Sequence, residues 1–351
     1  MPTLLDPYLS FIVAARNDDY AGGMLRRLQV CLDTFVYQAE SIALPSEVIL
    51  VDWNSPAGRS LSGALRWPAG RRWCSIRVIT VPTHIHAKQR FGDRLPILIH
   101  QARNVGIRRA IGRFILPTSA DILCSDELIA EIAANKLDDD AMYRIARHDV
   151  PVDALDFRAH DARIEFCRNH VQTIHERRGS YQIPGAPLLF TNGAGDFTLL
   201  SKDLYVRLNG IPEERQYHSM HLDSVFCYMA YAACGNEIVL SEPCRIYHVD
   251  HGTPSWKVEP RFIERLATRL PLGVSRSKKL LKKLRARWPP RSKMDRRRMP
   301  YMNLATPAGR AEFESLVRHI LERHGAFTYN DGDWGLGNET LEELVIGLTE
   351  R

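Results

Sequence analysis

Three short apolar runs each stop at a polar cluster holding an aspartate, and no other feature restricts the fold as much. Leu9–Ala15 (LSFIVAA) stops at Arg16-Asn17-Asp18-Asp19, residues 47–51 (EVILV) stop at Asp52, and residues 113–117 (RFILP) stop at Thr118-Ser119-Ala120-Asp121. Runs of this length, rich in β-branched residues and bounded by polar clusters, read as buried strands. A further run at 76–81 (IRVITV) reads the same way. Between them Leu25, Leu28, Leu32, Phe35 and Val36 recur at three- and four-residue spacing, one apolar helical stripe, and residues 96–111 read as a second helix. Strand and helix thus alternate over the first 125 residues. That order predicts an α/β fold, Rossmann-like, with a mostly parallel central sheet flanked by helices. Such sheets bind ligands beyond the carboxyl ends of their strands, so folding alone gathers Asp18, Asp52 and Asp121 at one crevice.

The rest of the chain is less regular. Residues 126–190 show no clear period. Residues 197–200 read as a strand, 223–233 as a helix, and Glu237–Leu240 and 244–249 as two more strands. Phe313, Leu316, Val317, Ile320 and Leu321 give 307–324 helical periodicity, hence a helical C-terminal extension over 301–351. Asn330-Asp331-Gly332-Asp333-Trp334-Gly335-Leu336-Gly337 is too irregular for a calcium loop and reads as a tail packed on the main domain.

Composition bounds the setting. The seven cysteines are odd in number, scattered and without a C-x-x-C pair, which fits a reducing compartment. No stretch approaches the roughly 20 apolar residues of a spanning helix, and the first run is too short for a signal-peptide core and has no basic leader. A cytoplasmic protein is expected. Of the net charge of +6, residues 276–298 alone supply twelve Lys or Arg against Asp295. The remainder is mildly acidic, unlike a general nucleic-acid binder, whose positive charge spreads over a docking face. Residues 275–288 (SRSKKLLKKLRARW) set Leu280, Leu281 and Leu284 among cations. This is either a basic amphipathic helix for the inner face of a membrane or a solvated charge run.

The ordered series of motifs from about residue 9 to 250 resembles the inverting GT-A enzymes of glycosyltransferase family 2. SFIVAARND matches the opening strand and nucleotide loop, LVDWNS at 50–55 the acidic turn, and Ala102-Arg103-Asn104-Val105-Gly106 followed by Ala110-Ile111-Gly112 the A-R-N-x-G helix and its A-x-G exit. The family's D-x-D triplet corresponds to Ser119-Ala120-Asp121, where only the second acid is kept. Gly193-Ala194-Gly195-Asp196-Phe197 resembles the acceptor-side glycine segment, Leu208 to Glu213 the G-G-F-D-E turn, and His221-Leu222-Asp223 the E-D helix start. His248, in RIYHVDH, takes the place of the histidine that closes the family's metal site, with Asp250 and His251 close behind.

The resemblance implies a GT-A catalytic domain over 1–252, with a nucleotide-binding half over 1–125 and an acceptor half over 126–252, followed by a basic linker over 253–300. It implies transfer from a nucleoside-diphosphate sugar, UDP-sugar favoured, to a glycan or lipid-linked acceptor, as in polysaccharide biosynthesis. Asp121 and His248 would hold Mn²⁺ or Mg²⁺, and a hard cation can manage with one carboxylate plus phosphate oxygens. Asp223 would be the general base. Ala15, Arg16, Asn17, Asp18, Asp52, Asn54, Arg103, Ser119 and Ala120 would line the donor, and Gly195, Asp196 and His221 the acceptor. Plainer readings stand beside these. Asp121 can cap the helix opening at Ser125, and Asp223 can cap its own helix. Asp52 and Asp18 can be turn formers, Arg103 a surface arginine, and Trp53 either a base-stacking residue or filler at the sheet edge. Two other functions fit the same fold: a nucleotidyltransferase, although AARND stands where its Gly-rich phosphate loop belongs, and a binding module that has lost its metal.

Overall fold

The computed structural model describes residues 6–251 and 299–347. The basic segment 276–298, and with it the amphipathic stretch, lies outside the described residues.

The strands are β1 (Leu9–Ala15), β2 (Ser46–Trp53), β3 (Cys74–Val81), β4 (Phe114–Thr118), β5 (Ile122–Cys124), β6 (Met142–Ile145), β7 (Arg147–Val150), β8 (Thr173–His175), β9 (Leu200–Ser201), β10 (Glu237–Leu240), β11 (Ile246–Val249) and β12 (Glu342–Ile346). The helices are α1 (Met24–Ser41), α2 (Leu61–Ala64), α3 (Thr83–Lys88), α4 (Ile99–Arg109), α5 (Asp126–Ala133), α6 (His160–Asn169), α7 (Lys202–Arg207), α8 (Leu222–Cys234) and α9 (Pro307–Glu322).

The main sheet has the order β12-β3-β2-β1-β4-β9. Its four central strands are parallel and the two edge strands antiparallel. Parallel strands need both faces covered, and the two residue sets of β1 divide accordingly. Leu9, Phe11, Val13 and Ala15 join one core with Leu28, Leu32 and Phe35 of α1, where Phe11 and Phe35 stack at 4.1 Å. On the opposite face α4 lies so close that a Cβ at Gly106 would stand 2.6 Å from Ile12 Cγ2, so the last residue of A-R-N-x-G is glycine for lack of space. A buried polar bridge runs under the sheet: Ser10 Oγ donates to Glu47 Oε1 at 2.5 Å, and Ile111 N–H donates to the same oxygen at 2.7 Å. Arg77 Nη1 meets Glu47 Oε2 at 2.9 Å and reaches Glu343 of β12 through Nε at 2.6 Å.

Residues 126–190, where the sequence shows no clear period, hold α5, β6, β7, α6 and β8. A second sheet of order β5-β11-β7-β8 is built partly from them, with β11 antiparallel to β5 and parallel to β7. The C-terminal segment supplies the expected helix, α9, and also β12, a strand absent from the sequence reading. The tail before β12 is anchored on α4 and its neighbours. Asn330 Nδ2 donates to Ile211 O at 2.8 Å, Gly335 N–H to Glu213 Oε1 at 2.7 Å, and Arg109 Nη1 to Gly335 O at 2.8 Å.

Candidate active site

The loop after β1 and the turn after β2 are tied together. Ala15 pairs with Asp52 across the two strand ends. Arg16 Nε donates to Asn54 O at 2.6 Å, Arg16 Nη1 pairs with Asp18 at 2.5 Å, and Asn17 N–H donates to Ser55 Oγ at 2.9 Å. Asn54 holds a left-handed backbone (φ 53°) and donates through Nδ2 to Pro96 O at 2.9 Å. Asp52 is buried, and both its oxygens are engaged within the chain: one accepts from Ser55 Oγ, the other from Leu61 N–H at 2.7 Å. Burial raises its pKa, and those two hydrogen bonds only partly oppose the rise. Its carboxylate is the brace of this turn. Trp53 is fully buried and donates from Nε1 to His86 Nδ1 at 2.9 Å, which decides against base stacking.

Next to β1 in the sheet, β4 delivers Ser119, Ala120 and Asp121. The short strand β5 separates Asp121 from α5, whose N-cap is Ser125, accepting from Leu128 N–H at 3.2 Å. The capping reading of Asp121 therefore does not hold. Instead the register of β11 sets His248 opposite Ile122 on one side and Asp149 on the other. His248 Nε2 lies 4.0 Å from Asp121 Oδ1, and its Nδ1 lies 3.1 Å from Asp149 Oδ1. Asp121 and His248 thus each offer one donor atom to the same space. One carboxylate with an imidazole nitrogen is a donor set that fits a divalent cation.

The residues expected on the acceptor side connect to this end of β4 through Ser119. Ser119 Oγ donates to Asp196 Oδ1 at 2.8 Å, and Arg147 Nη1 donates to Asp196 Oδ2 at 2.8 Å. Arg103, 4% exposed on α4, donates through Nη2 to Ser119 Oγ at 3.0 Å, so it is not a surface arginine. One residue before Asp196, Gly195 N–H donates to Asp223 Oδ2 at 3.0 Å. A Cβ on Gly195 would stand 3.2 Å from that oxygen and 3.3 Å from Arg103 Nη1, so the glycine leaves room between the acid and the guanidinium. Asp223 lies in the first turn of α8, whose N-cap is His221, and lines a recess with His100, Arg103 and Phe226. The ring of His221 sits 6.3 Å from that of Phe313 on α9.

No protein-family model matches the sequence, and no curated protein matches it. Among solved structures the chain is similar to S. aureus TarS 1-349 in complex with UDP, at 15% identity and TM-score 0.45, with 90% of each chain covered. The same fragment in complex with UDP-GlcNAc matches at 14% identity and TM-score 0.43, covering 90% of this chain and 91% of that one. Against S. aureus TarS the chain spans only 42% of that chain's length, with 78% of its own covered, 17% identity and a TM-score of 0.42. The catalytic domain of Drosophila β1,4-galactosyltransferase 7 in complex with xylobiose matches over 67% of this chain and 65% of that domain's chain, at 11% identity and TM-score 0.33. Each likeness is one of fold.

Electrostatics sets the Asp121–His248 end apart. Burial by itself would raise the pKa of Asp149, but hydrogen bonds from His248 and His175 and the charge of Arg147 hold it far below the usual carboxylate range. Asp196 is half-buried, and although desolvation opposes it, Arg147 keeps its pKa below the ordinary carboxylate value. Burial opposes protonation of His248, and Asp149, Asp121 and Asp196 outweigh it and raise its pKa. The Tyr20 phenol is pushed up to about 12, by burial first and then by the charge of Asp121, which puts the loop after β1 within electrostatic reach of that carboxylate. Arg147, Asp149 and His175 are absent from the sequence reading. The one signal for the first two is the unbroken polar string Arg147-His148-Asp149, and His175 has none.

Among the described residues no helix is long and apolar enough to cross a membrane.

Proposed function

We propose that this chain is a glycosyltransferase that moves a sugar from a nucleoside-diphosphate donor, UDP-sugar favoured, to a hydroxyl of a glycan or lipid-linked acceptor. The observation that carries the reading is the approach of His248 Nε2 to Asp121 Oδ1 beside the carboxyl end of the parallel sheet. From there Asp196 and Gly195 lead in two residues to Asp223. Cation end and acid end are thus joined by one short loop, as displacement of a diphosphate by a hydroxyl requires.

In this reading Asp121 and His248 hold the cation. Their imidazole content favours Mn²⁺ over Mg²⁺, which prefers oxygen ligands. When bound, the cation neutralises charge on the departing diphosphate. Arg103 adds a fixed positive charge at the same rim, where guanidinium suits phosphate. Asp223 takes the proton of the acceptor hydroxyl as its oxygen attacks the anomeric carbon from the side opposite the diphosphate, which gives inversion. The Arg16–Asp18 loop and Asn54 contact the nucleoside, with Asp52 bracing them from behind. Gly195, Asp196 and His221 line the acceptor. Residues 276–298 attach the protein to anionic lipid at the cytoplasmic face, and vesicle flotation that is unchanged when they are deleted refutes that part.

A thermal-shift panel tests the whole. UDP or GDP is expected to raise the melting temperature only with Mn²⁺ present, because a ligand at 100 times its Kd adds about 2.7 kcal/mol of stability. Stabilisation by CTP or ATP instead, with pyrophosphate release, replaces the proposal with nucleotidyl transfer. Silence towards every nucleotide reduces the chain to a binding module.

A further inference from the structure

Beside the proposed cation ligands stands a residue whose geometry gives it a defined task. Asp149 lies on β7, directly across from His248 in the parallel β11–β7 register. Its Oδ1 is 3.1 Å from His248 Nδ1, its Oδ2 is 2.8 Å from His175 Nε2, and Arg147 Nε lies 3.0 Å from Oδ1. The other nitrogen of the same imidazole, Nε2, is the one that lies near Asp121. A carboxylate can only accept, so Nδ1 of His248 must carry the proton. The lone pair of the neutral ring then resides on Nε2, on the side of the cation ligands. The second carboxylate oxygen and Arg147 in turn fix Asp149, so the ring is locked both in rotation and in tautomer.

We propose that Asp149 is the positioning residue of the cation site, setting the tautomer and orientation of His248 without touching the cation itself. The inference rests on the reading of Asp121 and His248 as cation ligands. A second carboxylate behind a ligating histidine raises its basicity as well as fixing its ring, and loss of such a partner typically lowers metal affinity about 10- to 100-fold. A purely structural Asp149, serving only as the counter-ion of Arg147 in the second sheet, predicts no such loss so long as the fold persists.

The experiment is a Mn²⁺ titration of the full chain followed by electron paramagnetic resonance, with no nucleotide or sugar present. A companion measurement of ¹⁵N-histidine ring shifts in the metal-free protein reads the tautomer of His248. Wild type, Asp149→Asn, Asp149→Ala and His248→Ala are compared. Asp149→Ala is expected to weaken Mn²⁺ binding about 10- to 100-fold and to move the His248 proton from Nδ1 toward Nε2. Asp149→Asn, whose amide oxygen still accepts from Nδ1–H, should fall between the two and keep the tautomer. It also serves as the working variant if the alanine protein fails to fold. The proposal is overturned if Asp149→Asn and any folded Asp149→Ala protein bind Mn²⁺ as wild type does while His248→Ala does not, an outcome that leaves the cation site standing. If wild type itself binds no Mn²⁺, the site reading fails and takes this inference with it.

Discussion

The backbone N–H of Gly195 donates to Asp223 Oδ2 at 3.0 Å, fixing the carboxylate at the edge of the recess next to Arg103. An asparagine at 223 retains an oxygen for that bond, gives up the acceptor that meets Ser224 N–H, and loses the charge and with it the ability to take a proton. Asp223→Asn should therefore fold normally and bind UDP with Mn²⁺ unchanged, while sugar-nucleotide turnover drops about 10²- to 10⁴-fold. Equal turnover in the two proteins removes Asp223 from the chemistry.

Glu214 is buried and accepts from the backbone N–H groups of His100 and Gln101 at 3.0 and 3.1 Å, which satisfies the first turn of α4, the helix carrying Arg103. Glu214→Ala leaves both donors without this acceptor and should cost about 2 kcal/mol in urea unfolding. Glu214→Gln, keeping one oxygen, should lose less than alanine does. A neutral result for the alanine variant would mean that α4 is held by its packing alone.

The contact of Gly106 with β1 makes an opposite kind of demand. Gly106→Ala puts a methyl group 2.6 Å from Ile12 Cγ2, and helix and sheet must separate to admit it. The expected cost is about 1–3 kcal/mol of overpacking, set against the small gain in helix propensity. A variant as stable as wild type, read from the denaturant midpoint, would show that α4 can shift freely.

Glu213 gives a signed pH dependence. Burial raises its pKa above the ordinary 4.5, while Gly335 N–H, Asn104 and Arg215 pull the other way without cancelling the rise. The folded state therefore keeps this proton over a window in which the unfolded chain has lost it. This contribution to stability is full below pH 4.5 and declines as pH rises through the raised value. Glu213→Gln cannot titrate, so the difference in unfolding free energy between the two proteins should change across that window and level off above it. A difference that does not vary with pH contradicts the assignment.

The first 125 residues are legible because their strands are covered on both faces and read as continuous apolar runs. β1 begins and ends where the sequence places it, at Leu9 and Ala15. The A-R-N-x-G string was legible for a different reason, since each of its last three distinctive residues has its own task. Arg103 turns to Ser119, Asn104 Nδ2 donates to Ile211 O at 2.7 Å, and Gly106 meets the sheet. The second sheet was not legible. β7 and β8 have four and three residues, too few for periodicity, and β7 finds its partner β11 only after a long intervening stretch of chain. Asp149 has no motif of its own; it matters only because register sets it opposite His248. β12 escaped because two of its five residues are glutamates and its side chains are mostly exposed, so neither hydrophobic template selects it.

Strand β12 also orders the events of biosynthesis. β3 is complete once Val81 has been made, but the neighbour on its outer side is not made until Glu342–Ile346. A nascent chain on the ribosome therefore exposes the N–H and C=O groups of β3 for most of its translation, a template on which other chains can add. Until β12 is made, the outer edge of β3 is open to pairing.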